Sequence, residues 1–470
     1  MVEFRRNEGF FRYRYEYLAA VTATMSLVAT VAAAGWSSPA IPALKQADSP
    51  IPITPDQGSW IVSILSIGSL FGPIITGFTI DRWGRKLVLL LSVIPLTIGW
   101  IMIVFASNIP IVYAARFLHG ISYGMAYTIT PIYLGEISSN AIRGSTGVLV
   151  TVMAKVAFLI EYSVGPYVSF QSLALISMTF PIFFITAFLW MPETPYFFLA
   201  RGNDKAALKS LQWLRQTSSD ELYLELHTMK ALVQKSAQNS SPWKDLFTKA
   251  NRRSLAMILL LSFGMQLTGI NAILGYSQTI FAKLDMDLNA AELSIILGVV
   301  QLIAVFIPTF FVDKCGRRPL LLLSCTGSLF GLLCCACFFT LTAFQYSVEQ
   351  YSWIPFVGAL IFIIFFAFGL ATVPFAILGE VFPKHIKACA NALFAMISSV
   401  VVFTIIKLFQ VISDGVGTYV SFWTFSVCTA ITGLLIYVFI PETKGKSFEE
   451  IQQLITDKRK NTTKRAPLLC

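Results

Sequence analysis

The sequence predicts an all-α polytopic membrane protein of twelve transmembrane helices, built as two six-helix halves joined by a cytoplasmic helical linker. Three observations predict it: a composition too apolar for water, about twelve apolar stretches of spanning length, and a set of short motifs that returns in order half a chain later. Of the 470 residues, 56% are hydrophobic and 13% charged, whereas soluble domains carry about 25% charge. With 39 Phe and so few charges, lipid must be the solvent for most of the chain.

A helical span needs about 20 mostly apolar residues. Stretches near 17–37, 58–80, 87–106, 110–134, 144–164, 169–191, 254–282, 288–312, 319–343, 353–378, 388–410 and 418–440 meet that length. The polar, basic start (Arg5, Arg6, Arg12, Arg14) runs straight into the first stretch, which predicts a span serving as its own signal rather than a cleaved leader. The resulting organisation is a cytoplasmic N-terminus (1–16), a first half (17–199), a linker (200–252), a second half (253–440) and a cytoplasmic tail (441–470).

A net charge of +10 suggests nucleic acid in a soluble protein, but here it reports topology. With both termini cytoplasmic, only Lys45 and Lys283 of the 35 Lys and Arg fall in outer loops, and Arg116, Lys155 and Lys407 lie within spans. This is the positive-inside pattern; no nucleic-acid partner is expected. All eight Cys lie in the second half, without a pair in an outer loop, so no disulfide is expected. Cys334, Cys335 and Cys337 have neither His nor acid nearby, which argues against a metal. In the linker, Ala207, Leu208, Leu211 and Leu214 recur at helical spacing and predict short amphipathic helices under the membrane. The tail after Lys458 reads as basic and disordered.

The repeat is the most informative feature. Asp81-Arg82-Trp83-Gly84-Arg85-Lys86 follows the second span, and Asp313-Lys314-Cys315-Gly316-Arg317-Arg318 follows the eighth. Leu134-Gly135-Glu136 with Arg143 closes the fourth span, and Leu378-Gly379-Glu380 with Lys387 closes the tenth. Pro192-Glu193-Thr194 ends the sixth, and Pro441-Glu442-Thr443 the twelfth. Three matches in register imply two homologous halves, and parallel halves of this kind place a substrate site at the midplane. The turns set Asp81, Arg82, Arg85, Asp313, Arg317 and Arg318 beside Glu136, Glu380, Arg143 and Lys387. Such pairs contribute little singly, which suits a gate that must open and close. Plain anchoring by positive charge is the alternative for any one Arg.

Within the spans, Gln266 and Asn271 present uncharged amides suited either to substrate hydroxyls or to interhelical hydrogen bonds. Gln301 has the same two readings. Gly369 and Pro374 predict a broken or flexible tenth span, followed by Phe375 as an aromatic face for a sugar ring. Arg116, Lys155 and Glu161 are ionisable groups in lipid-spanning helices and mark function by default; all three are candidates for ion coupling. Lys155 lies roughly 18 Å into its helix from Arg143, and Glu161, six residues on, is on the wrong face to pair with it. Lys407 lies near an outer helix end, where it can snorkel.

These motifs, with RFLHG (116–120), QLTGIN (266–271) and PETKGKSFEE (441–450), resemble the signature set of the sugar porters of the major facilitator superfamily. In GWSSPAIPAL (35–44), Thr151, GVVQ (298–301) and Lys407 the chain is similar to insect facilitated trehalose transporters. The resemblance implies the major facilitator fold and sugar contacts at Gln266, Asn271, Tyr276, Gln301 and Phe375, with Thr151 among the substrate-binding candidates. It also implies a cytoplasmic gate of Glu136, Arg143, Arg317, Arg318, Glu380 and Lys387. Met265 stands where the family has the first Gln of a pair, Ser398 and Ser399 replace an Asn-Trp pair, Lys387 a gate Arg, and Tyr196 another Arg. The expected function is facilitative transport of a neutral sugar, trehalose or a hexose, by a monomer in the plasma membrane, without cofactor or metal. Relatives that couple to protons carry an acid in the first span where this chain has Ser37; a proton-coupled symporter working through Glu161 is the alternative. A non-transporting sugar sensor is the less favoured reading, since such sensors usually carry long cytoplasmic extensions and the tail after Glu450 has only twenty residues. An enzyme lacks a nucleophile–base set, its three His (His119, His227, His385) being far apart.

Overall fold

The computed structural model describes residues 13–46, 49–217, 219–237, 242–248, 251–308, 311, 315–446, 450–451 and 454. Among the described residues, ten helices are long and apolar enough to cross a membrane: Arg14–Leu44, Pro55–Trp83, Arg85–Val104, Arg143–Tyr167, Phe170–Phe188, Arg252–Gly275, Arg317–Ala343, Glu349–Val381, Ile386–Gly415 and Thr418–Phe439. Two more complete the twelve. Ile109–Ile137, the fourth, spans 29 residues and carries Arg116, His119 and Glu136; Ala290–Ala304, the eighth, is shorter. Asp313, Asn239 and the tail beyond residue 454 lie outside the described residues.

Local chemistry sets the helix ends. Span two starts at a capping box: Thr54 Oγ1 accepts from the Gln57 amide at 3.3 Å and Gln57 Oε1 from the Thr54 amide at 2.8 Å, with Pro55 in the first turn. Span seven breaks after Leu267, where Gly269 takes φ +79°, and resumes as Ile270–Gly275 and Ser277–Phe281. Span ten breaks between Phe368 and Val373, with Pro374 in the first turn of Val373–Val381. Pro lacks the N–H that an unbroken helix would need there.

Packing divides the described chain into two units. The first comprises Met1–Asn239, Asn271–Leu302 and Val402–Gly415; the second comprises Ser240–Ile270, Ile303–Val401 and Val416–Cys470. This division follows contact rather than chain order and cuts through spans seven, eight and eleven. In the first unit, spans two and four touch backbone to backbone, since a side chain on Gly68, Gly72, Gly120 or Gly124 would strike the facing helix. In the second, Gly331 and Gly358 bring spans nine and ten together in the same way.

The linker forms helices Asp204–Arg215, Ser219–Ala237 and Pro242–Leu246. Asn203 caps the first, accepting from the Ala206 amide at 3.1 Å. The apolar stripes of the first two pack Ala207, Leu211, Leu222, Leu226 and Met229 against Leu199, so the amphipathic pattern buries its face on protein.

Candidate functional site

Two clusters of charge sit at corresponding helix ends, one in each unit. In the first, Gly84 turns the chain at φ +92°, a conformation an L side chain rarely adopts, and a Cβ there would also strike the Glu193 carboxylate. Glu193 Oε2 then accepts from the Lys86 amide at 2.9 Å, satisfying the open N-terminus of span three. Burial pushes the Glu193 carboxyl above its ordinary range, while the amides of Thr194 and Lys86 and the charge of Arg85 act the other way. Arg85 pairs with Glu136 at 3.0 Å and with Asp81 at 3.3 Å, and Lys86 Nζ donates to the Leu189 carbonyl at 2.7 Å. Thr194 Oγ1 donates to the other Glu136 oxygen at 2.5 Å.

The second cluster repeats this plan. Gly316 takes φ +90°. Glu442 accepts from the amides of Arg317 and Arg318 at 2.9 and 3.0 Å. Arg317 pairs with Glu380 at 3.1 Å, and Arg318 donates to the Tyr437 carbonyl at 2.5 Å. Of the other candidates, Arg143 is exposed and donates to the Ser138 carbonyl at 3.5 Å. Arg82 is exposed and lends its carbonyl to Arg201 at 2.6 Å. Lys387 is half-buried.

The expected substrate residues divide between the units. Asn271, Tyr276, Gln301 and Thr151 belong to the first, Gln266 and Phe375 to the second. Gln301 is buried with neither amide atom hydrogen-bonded, and the buried Tyr276 hydroxyl also lacks a partner while its ring lies 5.4 Å from Phe409. Such orphaned groups cost free energy unless a ligand or water completes them. The Tyr162 hydroxyl donates to the Leu274 carbonyl at 2.7 Å, fastening span five to span seven. In the second unit Gln266 is buried, whereas Phe375 is half exposed, its ring edge-on to Phe394 at 5.2 Å. Ser398, standing in the unusual serine pair, bonds Ser262 at 2.8 Å.

In the first unit, Lys407 reaches a largely exposed carboxylate. It donates to Asp56 at 2.6 Å and Ser59 at 2.7 Å and lies 4.5 Å from the Trp60 ring, because span eleven passes beside the start of span two. Nearby, Ser38 bonds Ser277 at 2.7 Å.

The buried ionisable groups meet different fates. Arg116 donates to the carbonyls of Ile61 (3.0 Å) and Ala33 and to Ser37 Oγ (2.7 Å), with its guanidinium 5.4 Å from the Trp36 ring. Its cation therefore rests on dipoles in place of a carboxylate. Glu161 accepts from Ser177 at 2.6 Å, its second oxygen has no partner, and it lies close enough to Arg116 to attract it. Gly35 leaves room for it, a Cβ there coming within 3.1 Å of the Glu161 Cβ.

One network had no sequence motif to announce it. Glu16, fully buried at the start of span one, pairs with Arg215 of the linker at 3.0 Å and accepts from the Ser139 amide at 2.7 Å; Arg215 also pairs with Glu225 at 2.9 Å. An acid at the start of an apolar helix and an Arg ending an amphipathic one were the available signals, each too common to pair.

Repeated six-helix halves, broken seventh and tenth helices and duplicated charged turns define a membrane carrier of the major facilitator class. The chain belongs to the sugar (and other) transporter family, which it matches over residues 13–455. It is 30% identical over 450 residues to the facilitated trehalose transporter Tret1 of Apis mellifera ligustica, covering 94% of this chain and 88% of that one. It is 32% identical to Tret1 of Aedes aegypti over 444 residues, which are 93% of this chain and 55% of the mosquito protein, so the chain spans only about half of that relative. Among solved structures it superposes on the proton:xylose symporter XylE bound to 6-bromo-6-deoxy-D-glucose with a TM-score of 0.76 at 19% identity, covering 94% and 99% of the two chains. The partially occluded inward-open XylE from E. coli gives 0.78 at 19% identity, with 92% and 100% covered.

Proposed function

We propose that the chain is a facilitative carrier that moves a sugar, trehalose or a neutral hexose, across the plasma membrane by alternating access, with both termini cytoplasmic. The observation that carries this reading is the duplicated cluster. Arg85–Glu136 and Arg317–Glu380 tie matching helix ends through partly exposed pairs, the kind that form and break at small cost. The buried, unpartnered amide of Gln301 and hydroxyl of Tyr276 supply donors and acceptors to sugar hydroxyls, with Gln266, Asn271, Thr151 and Phe375 as further contacts. Uniport is favoured because the first-span partner of Arg116 is the hydroxyl of Ser37, which releases no proton in the working range.

Glu161 favours a second reading, proton-coupled uptake, since it is a buried carboxylate with one free oxygen near Arg116. Uptake of labelled trehalose and glucose into cells expressing the chain, with and without a protonophore, separates the two. Saturable uptake that ignores the protonophore and stops at equilibrium is expected. Uptake that collapses with the proton gradient overturns uniport in favour of coupling through Glu161, and no uptake from surface-exposed protein overturns both.

A further inference from the structure

Lys155 lies within a span of the first unit, and the proposed mechanism gives it no role. Its ammonium has no hydrogen bond or ion pair among the described residues and lies 5.6 Å from the centre of the Phe158 ring. Arg116 shows what a structural buried cation looks like here: four groups surround it. Glu161 cannot serve Lys155, being engaged with Ser177 on a different face of the same helix. A cation held this deep without a counter-charge is costly, and a carrier accepts such a cost where an anion arrives as ligand.

The surroundings are those of a binding site. Thr151, Lys155 and Leu159 recur at four-residue spacing on one face of span five, and both Thr151 and Lys155 are half-buried, so that face is only partly covered by protein. Span eight lies against it: a Cβ on Gly298 would come within 3.2 Å of Leu159. Span five ends at Gly165 against Pro39, and span eight begins just beyond the segment that bonds Ser38, so the two run antiparallel. Gln301, three residues past Gly298 on the same face, therefore sits level with Lys155, its whole amide unpartnered. We infer that Lys155, Gln301 and Thr151 form a subsite for the carboxylate of an acidic sugar, of the uronate or aldonate type, which the carrier takes as a further substrate beside the neutral sugar. A single ammonium balances a single carboxylate, whereas a sugar phosphate carries nearly two charges and would need a second cation. This inference rests on the chain being a sugar carrier and names its substrate class.

The test uses the full chain reconstituted in liposomes, with labelled D-glucose and D-glucuronate as probes and glucose 6-phosphate as competitor. Glucuronate is expected to enter saturably, to compete with glucose better than the phosphate does, and to enter faster under an inside-positive potential. Lys155→Gln should lower the glucuronate-to-glucose ratio of kcat/KM by about tenfold or more, the effect of losing a hydrogen bond to a charged group, and Lys155→Arg should restore most of it. Glucose uptake without glucuronate uptake or competition overturns the inference alone, as does a ratio indifferent to Lys155→Gln. Entry of neither sugar overturns the carrier reading beneath it.

Discussion

The two charged clusters share a backbone plan and differ in how their side chains close. In both, a positive-φ glycine admits a glutamate onto the N-terminus of the next helix, an arginine reaches the acid ending a neighbouring span, and a second cation meets a carbonyl one helix away. In the first half, Thr194 occupies the second Glu136 oxygen, Arg201 holds the carbonyls of Asp81 and Arg82, and Ser210 of the linker donates to the Glu193 carbonyl. In the second half the matching Thr443 hydroxyl and the second Glu380 oxygen are buried without a partner. Helix termini impose their needs on every copy of the motif, so the capping geometry is duplicated. The extra bonds of the first half are side-chain choices, which no helix terminus imposes.

The strongest way to break this comparison is to remove what the first half has in addition. Arg215→Gln leaves Glu16 buried without its counter-charge and should lower stability by about 3–5 kcal/mol, read as apparent unfolding in detergent, with the linker becoming sensitive to limited proteolysis. An unchanged melting temperature would show that the linker tie carries no load. Glu136→Gln should cost about 2 kcal/mol and Glu380→Gln about half of that, because Glu136 also accepts from Thr194; equal costs would erase the asymmetry. Thr194→Val should cost roughly 1 kcal/mol, whereas Thr443→Val should be neutral or slightly stabilising, since it removes a buried hydroxyl that bonds nothing; loss at both sites would place a partner on Thr443. The smallest difference is expected between Glu193→Gln and Glu442→Gln, each losing about 1 kcal/mol of interaction with a helix N-terminus. A clear difference between those two would mean that the capping plan itself is unequal.

Much of this was legible in the sequence, but unevenly. The Gly-Arg turns, the Glu of each fourth helix and the Pro-Glu-Thr ends declared the clusters because each is a short motif that occurs twice. Gly369 and Pro374 pointed to the break in span ten, since backbone chemistry acts within a few residues. Lys407 was legible as a cation near an outer helix end, but its pairing with Asp56 was not, since the two lie hundreds of positions apart on different spans. Glu16, Arg215 and Glu225 went unseen together for the same reason: no spacing links them.

What the sequence determined by itself was the solvent, the number of spans, the repeat and the turns, all consequences of hydropathy and local backbone limits. Tertiary structure alone decided which buried charges are satisfied. Arg116 rests on three carbonyl and hydroxyl oxygens, Glu161 faces it with one oxygen free, and Lys155 has no anion. The reason is physical: in a low-dielectric interior a charge is settled by the few dipoles within hydrogen-bond reach, and which helices bring those dipoles is fixed only by packing.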